Sequence, residues 1–173
     1  MNVEKNSPLQ FETAYDWLGG EARVRELTTR FDDLMDLEQK FAALRAAHGA
    51  SLGEARERLF LFLSGWLGGP PLYMQTHGHP KLRARHLPFK IGVTERDQWV
   101  ACMAQAMREI GVPDDLYQRL IESFYNTADW MRNQPDVVEG APQMPSPAGV
   151  YQPQVKQKLH QITEAYGVPK ESI

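Results

Sequence analysis

Residues 66–91 read WLGGPPLYMQTHGHPKLRARHLPFKI, and the fold turns on this stretch. An apolar helix stops at Gly68-Gly69-Pro70-Pro71, because proline removes a backbone donor and glycine lacks helix propensity. The stretch then sets His77, His79 and His86 among Lys81, Arg83 and Arg85 and closes on Leu87-Pro88-Phe89. Three of the five histidines therefore stand in a segment too broken by Gly and Pro for one long helix. An imidazole on a short basic helix, stopped by proline and flanked by apolar residues, is what holding a haem iron requires.

Upstream, Ser51 or Gly53 starts a helix with Glu54 in its first turn. Leu59, Phe62, Leu63 and Trp66 repeat there at helical spacing, while Arg56, Glu57 and Arg58 stay wet. Phe60 and Leu61 make this helix apolar on more than one side, so it is covered on two faces. Further back, FETAYDWL (residues 11–18) is a short apolar stretch ended by Gly19-Gly20. Glu21 opens a helix with the stripe Val24, Leu27, Phe31, Leu34 and Met35, and Phe41 and Leu44 continue the pattern to Gly49. Downstream, Thr94 with Asp97 makes an acidic variant of a capping box. Trp99, Cys102, Met103, Ala106 and Ile110 follow down one side. Pro113 suits a first helical position, and Leu116, Leu120, Ile121, Phe124, Ala128 and Met131 form the next stripe. No alternating run demands a strand, so the expected fold class is all-α.

The domain plan follows from composition. Residues 1–10 read as a flexible tail and 11–134 as one globular domain. Residues 135–153, rich in Pro and Gly without periodicity, read as a linker. Residues 154–166 could make one amphipathic helix through Val155, Leu159, Ile162 and Tyr166, and 167–173 are a tail. The chain has 173 residues, 42% of them apolar, with formal charge -3. That balance gives no signal for nucleic acid or an anionic membrane. No apolar run approaches the roughly 20 residues of a membrane span. The N-terminus lacks a secretory core, and Cys102 is the sole cysteine, so a cytoplasmic location is expected. Cys102 falls at an apolar helix position and reads as inert core rather than a redox group.

Leu82 lies four residues before His86 and Phe89 three after it, so the imidazole shares a face with groups that could press on a porphyrin. Arg83, Arg85 and Lys81 could meet two propionates, with Tyr73 as a further donor. The alternative is a surface histidine near a helix end. His77, His79 and His86 could instead hold zinc, but H-x-H-x6-H is a poor metal pattern without a carboxylate. A turn shaped by Gly78 and Pro80, with His79 bonded to a nearby carbonyl, is the simpler reading.

GGPPLY, GHPKLRARHLPF, ERDQW and Cys102-Met103 stand in the order and spacing of the group II truncated haemoglobins, the two-over-two globins, which this chain resembles. FDDLMD, LFLFLSGWLGGP and ADWMRN extend the resemblance over about residues 11–134. It implies a truncated globin fold with a C-terminal extension, haem b (iron protoporphyrin IX) as cofactor and diatomic gases (O2, NO, CO) as ligands. By position it makes His86 the proximal iron ligand and Trp99 a distal hydrogen-bond donor. Ala55 and Leu59 fall at distal positions, Phe62 and Leu63 pack on the haem, and His48 occupies the corner after the second helix. Tyr73, Arg83 and Arg85 fall where propionate partners are expected. Leu82, Phe89, Ile91 and Met103 complete the haem-contact set.

One position departs from the family. Phe-Tyr is usual in the second helix, its tyrosine donating to bound dioxygen, whereas this chain has Phe31-Asp32. An ionised carboxylate only accepts hydrogen bonds and would repel a partly negative ligand oxygen. Buried and protonated it could donate; turned away, it could be held by Arg30 or water. The leading expectation is a globin for oxygen binding and transport or nitric oxide handling, with Trp99 orienting ligand and His48 as a second donor. A reductase would then be a partner. Asp32 beside His48 also suggests a peroxidase-like enzyme, since heterolysis of a peroxide bond needs a group that takes and returns a proton. The extension beyond residue 134 suggests a sensor or interaction module, its helix docking on the globin, a second subunit in a homodimer, or a partner.

Overall fold

The computed structural model describes residues 11–49, 51–135 and 154–172. The N-terminal tail expected at 1–10, and residues 136–153 of the expected linker, lie outside the described residues. Nine α-helices and no strand occur among the described residues, in agreement with the all-α expectation.

Helix α1 (Ala14–Leu18) starts at Thr13, whose hydroxyl accepts from the Asp16 N–H at 3.1 Å. Helix α2 (Glu21–Leu37) buries the stripe expected from its spacing, with Val24, Leu27, Phe31, Leu34 and Met35 all sealed from solvent. A 3-10 turn (Gln39–Phe41) and α3 (Ala42–Ala47) lead to α4 (Gly53–Trp66). The histidine-bearing stretch splits into two short helices, α5 (Leu72–His77) and α6 (Leu82–His86). Helices α7 (Val93–Glu109) and α8 (Asp114–Trp130) follow, and α9 (Val155–Ala165) comes last.

The core is two helix pairs laid across one another. Helix α2 packs on α4 and on α7, and α7 packs on α8. Helix α7 is the central strut: Val100, Cys102, Met103, Ala106 and Met107 are fully buried beneath α2, α3, α8 and α9. Val100, Met103 and Met107 each contribute about 1.5–3 kcal/mol of transfer free energy, and the small Ala106 less. The Cys102 thiol, pushed far up by burial, donates to the Phe31 carbonyl at 3.3 Å.

The end of α4 is fixed by close backbone approach. A Cβ on Gly69 would lie 2.4 Å from the Tyr15 ring, so glycine lets α1 seat against this corner. The Tyr15 N–H donates to Leu67 O at 2.9 Å and the Ser64 hydroxyl to Pro70 O at 2.7 Å.

Two local expectations are corrected. Helix α7 caps at Gly92, not Thr94: Glu95 reaches back to accept the Gly92 N–H at 3.0 Å, while Arg96 takes the Asp97 carboxylate at 3.0 Å. Pro113 precedes the first helical residue of α8 rather than occupying it. The last helix packs on the chain's own globular domain, one of its three expected destinations. Val155, Leu159 and Ile162 bury against α7 and α8, Tyr166 stacks over Phe41 at 6.1 Å, and Lys40 donates to Tyr166 O at 2.7 Å. No helix among the described residues is long and apolar enough to cross a membrane.

Candidate functional site

Helix α6 is unusual in burying none of its five residues. His86 is its last residue, and its Nδ1 lies 2.6 Å from Leu82 O, one turn earlier. A carbonyl accepts only, so Nδ1 carries the proton and Nε2 keeps its lone pair. This is the tautomer a metal-binding imidazole needs, with the carbonyl orienting the ring. The helix is preceded by Lys81, the one non-glycine residue with positive φ (44°) among those described. His79 differs from expectation: its Nδ1 accepts from the Lys81 N–H at 3.1 Å instead of bonding to a carbonyl. Among the described residues no group of three His, Cys, Asp or Glu could hold a metal ion, so the zinc alternative at His77, His79 and His86 fails.

Apolar side chains that are not fully covered lie on α4 and in the segment around His86. On α4, Ala55, Leu59, Phe62 and Trp66 recur at helical spacing and are only half-buried, whereas Phe60, Leu63 and Leu67 are sealed in the core. Leu82 and Ile91 are half-buried, and Phe89 is 49% exposed. Leu63 and Met103, expected among the haem contacts, are buried in the core, at 1% and 0% exposure.

An aromatic chain ties α4, α8, α7 and α2 together. Trp66 stacks on Phe124 at 4.7 Å, Phe124 meets Trp99 edge-on at 5.5 Å, and Trp99 lies 5.5 Å from Phe31. Trp99 is half-buried, and its indole N–H donates to no group among the described residues. It is an oriented donor still available to a ligand.

Asp32 is 2% exposed and faces Arg56, a cation whose position in the sequence pattern is on the solvent side of its helix. Arg56 Nε donates to Asp32 Oδ2 at 2.8 Å, and Arg56 Nη2 lies 3.7 Å from Asp33. The expected partner Arg30 instead pairs with Glu109 at 2.6 Å. Burial pushes the Asp32 carboxyl up, and Arg56 and His48 pull it partly back. His48 is half-buried and its Nδ1 is engaged with Leu44 O at 2.8 Å. Arg56 could have been suspected from α4 periodicity, because it sits beside Ala55 and one helical turn before Phe60.

The propionate candidates separate. Arg83 donates to Trp130 O and, at 3.4 Å, to Arg132 O, and its guanidinium lies 5.0 Å from the Trp130 ring. It is thus committed to the C-terminal end of α8, not free beside Tyr73. Arg85 is exposed and lies 5.7 Å from the ring of Tyr73, itself buried. Residues 66–91 contain no Asp or Glu, and Lys81, Arg83, Arg85 and Lys90 form no ion pair among the described residues. An oriented imidazole, half-covered apolar faces and carboxylate-free cations together fit haem: one axial ligand, a ring surface and partners for two carboxylates.

Comparison with known proteins agrees. The family model described as "Bacterial-like globin" matches residues 13–133. The chain is 36% identical over 124 residues to Group 2 truncated hemoglobin YjbI of Bacillus subtilis, covering 72% of this chain and 91% of that protein. Among solved structures, the group II 2-on-2 hemoglobin of Agrobacterium tumefaciens is 40% identical, with a TM-score of 0.69, 78% of this chain and 99% of that one. The cold-adapted truncated hemoglobin of Pseudoalteromonas haloplanktis is 42% identical, with a TM-score of 0.68, 71% of this chain and 99% of that one. The carbonyl-oriented imidazole on α6, the crossed pairs α2/α4 and α7/α8 and these similarities converge: the chain belongs to the bacterial-like globins, as a group II truncated haemoglobin whose cofactor is haem b.

Proposed function

We propose that this globin binds diatomic gases at a haem iron ligated by His86 Nε2, and serves oxygen binding or nitric oxide handling. Haem, when bound, supplies an iron whose sixth position takes O2, NO or CO. The carrying observation is the Nδ1 contact of His86 with Leu82 O, which orients the ring on a helix that buries none of its residues. Trp99 would orient the ligand by donating its uncommitted N–H. Ala55, Leu59 and Phe62 would cover the ring and exclude water, and Arg85 with Tyr73 would hold propionates. Asp32, neutralised by Arg56, would not donate to ligand, so weaker oxygen retention than a tyrosine provides is expected.

Absorption spectra of ferric, ferrous and CO-bound protein, with His86→Gly alongside, test the assignment. The variant should lose its axial nitrogen ligand and regain it on adding imidazole; unchanged axial coordination overturns the assignment. Mixing oxygenated protein with NO tests nitric oxide handling: nitrate forming no faster than in buffer eliminates a dioxygenase role. The peroxidase-like alternative is less favoured by geometry, because the Asp32 carboxylate is engaged by Arg56 and makes no hydrogen bond to His48.

Turnover of NO would leave ferric iron, so a reductase is needed. The face around α6 suits an acidic one: Lys81, Arg85 and Lys90 are exposed without carboxylate partners beside exposed Met74 and Leu87. Opposite charges raise the encounter rate and an apolar centre seats the complex. Reduction by an acidic flavoprotein should slow in Lys81→Glu and Lys90→Glu while dithionite reduction stays unchanged; equal flavoprotein rates in variant and parent would reject this docking face.

A further inference from the structure

A helix of five residues with no buried side chain cannot hold a metal ligand in place by packing. Its position has to come from hydrogen bonds, one set of which Arg83 makes near its start to Trp130 O and Arg132 O. At the C-terminal end they converge on one side chain, Asn133, three residues beyond α8. Its Nδ2 donates to His86 O at 3.2 Å and to Phe89 O at 2.6 Å, and its Oδ1 accepts from the Ile91 N–H at 2.9 Å. The Asn133 backbone N–H donates to Ile91 O at 2.9 Å. The carboxamide therefore bridges the ligand residue itself and the turn that follows it. Among neutral side chains only a short carboxamide offers two donors and an acceptor at this reach.

The platform beneath Asn133 is rigid. Asp129, buried in α8, accepts from Arg96 at 2.6 Å and from Arg132 at 2.8 Å, which ties the end of α8 to α7. A buried pair of this kind costs several kcal/mol to break by removing one partner, so the end of α8 does not drift.

We propose that Asn133 is a positioning residue for the proximal histidine: it sets the height and tilt of the His86 imidazole by fixing the His86 carbonyl against the end of α8. The inference rests on His86 being the iron ligand and extends it to a residue that touches neither haem nor gas. It also gives a function to the last residue of the ADWMRN motif, which the site otherwise leaves unused.

The test is the iron–histidine stretching band in resonance Raman spectra of the ferrous, ligand-free protein, for Asn133→Ala and Asn133→Gln. Ser123→Ala, at an exposed position of α8 ten residues before Asn133, serves as control. In Asn133→Ala the band should shift and broaden, and haem loss to a scavenger globin should accelerate roughly tenfold, the factor that loss of its three neutral side-chain hydrogen bonds supplies at the lower end of their range. Asn133→Gln keeps the amide chemistry one methylene too far out; it should fold with the band displaced but narrow. Amide exchange at Ile91 in the haem-free parent gives a readout independent of the cofactor, and protection there is expected. A band and haem-loss rate unchanged in a folded Asn133→Ala or Asn133→Gln, or an unprotected Ile91 amide, overturns the proposal. Loss of the whole iron–histidine band in the parent would instead refute the His86 assignment.

Discussion

Replacing Arg56 by Leu should convert a tolerated buried carboxylate into an intolerable one. Asp32 is 2% exposed, and Arg56 donates to its carboxylate at 2.8 Å. Removing one partner of a fully buried pair costs about 3–5 kcal/mol. Here the Arg56 side chain is 39% exposed, so solvent screens part of the attraction. The contact to Asp33 at 3.7 Å, with 45% exposure, adds little. A charge-assisted hydrogen bond at the lower end of its range leaves about 2 kcal/mol at neutral pH. For a chain of this size that is a fall in Tm of about 4–8 °C. The pH dependence carries the diagnostic sign. Burial already raises the Asp32 carboxyl above its ordinary 3.8, so the folded state holds that proton more tightly than the unfolded state. Stability from this group is complete below 3.8 and is lost as pH rises through the folded-state value. Without Arg56 the folded-state value rises further and the loss extends to higher pH. Urea unfolding of the haem-loaded protein across the acid-to-neutral range should show parent and variant converging as pH falls. Parallel curves, or an unchanged midpoint at neutral pH, would refute the reasoning, because the pair would then hold no buried charge.

Three further outcomes follow from the packing of these helices. Trp99→Phe keeps the ring contacts with Phe31 and Phe124 but deletes the uncommitted N–H, so stopped-flow oxygen dissociation should quicken roughly tenfold, one hydrogen bond's worth, with Tm little altered. Gly69→Ala drives a methyl to 2.4 Å from the Tyr15 ring and should destabilise by about 1–3 kcal/mol in urea titrations, with the haem spectrum unchanged. Leu159→Ala, in the face of α9 buried on α7 and α8, should cost about 2 kcal/mol; a neutral effect would mean that α9 is not docked in solution.

Local order was legible from residue type because it depends on near neighbours. The stripe through Val24, Leu27, Phe31, Leu34 and Met35 buries as its spacing requires, and Gly68-Gly69-Pro70-Pro71 ends α4 because those residues cannot continue it. The break of the histidine-bearing stretch into two short helices follows from Gly78 and Pro80. The capping of α7 was misplaced by two residues, because Thr94 with Asp97 and Gly92 with Glu95 offer similar local chemistry and only the competing Arg96 decides between them.

Pairings across long sequence separation belong to the tertiary structure alone. Asp32 meets Arg56, 24 residues away, and Arg30 goes to Glu109, because the crossing of α2 with α4 and α7 selects among many cations of equal local merit. Asn133 meets His86 across 47 residues by the same logic. The amino-acid sequence by itself determined the helices, the histidine poised at the end of a short one, and the family those motifs resemble. Which charge neutralises Asp32, what steadies α6 and where α9 rests were decided only when the helices packed, since hydrogen bonds and ion pairs are set by distance in space rather than by position along the chain.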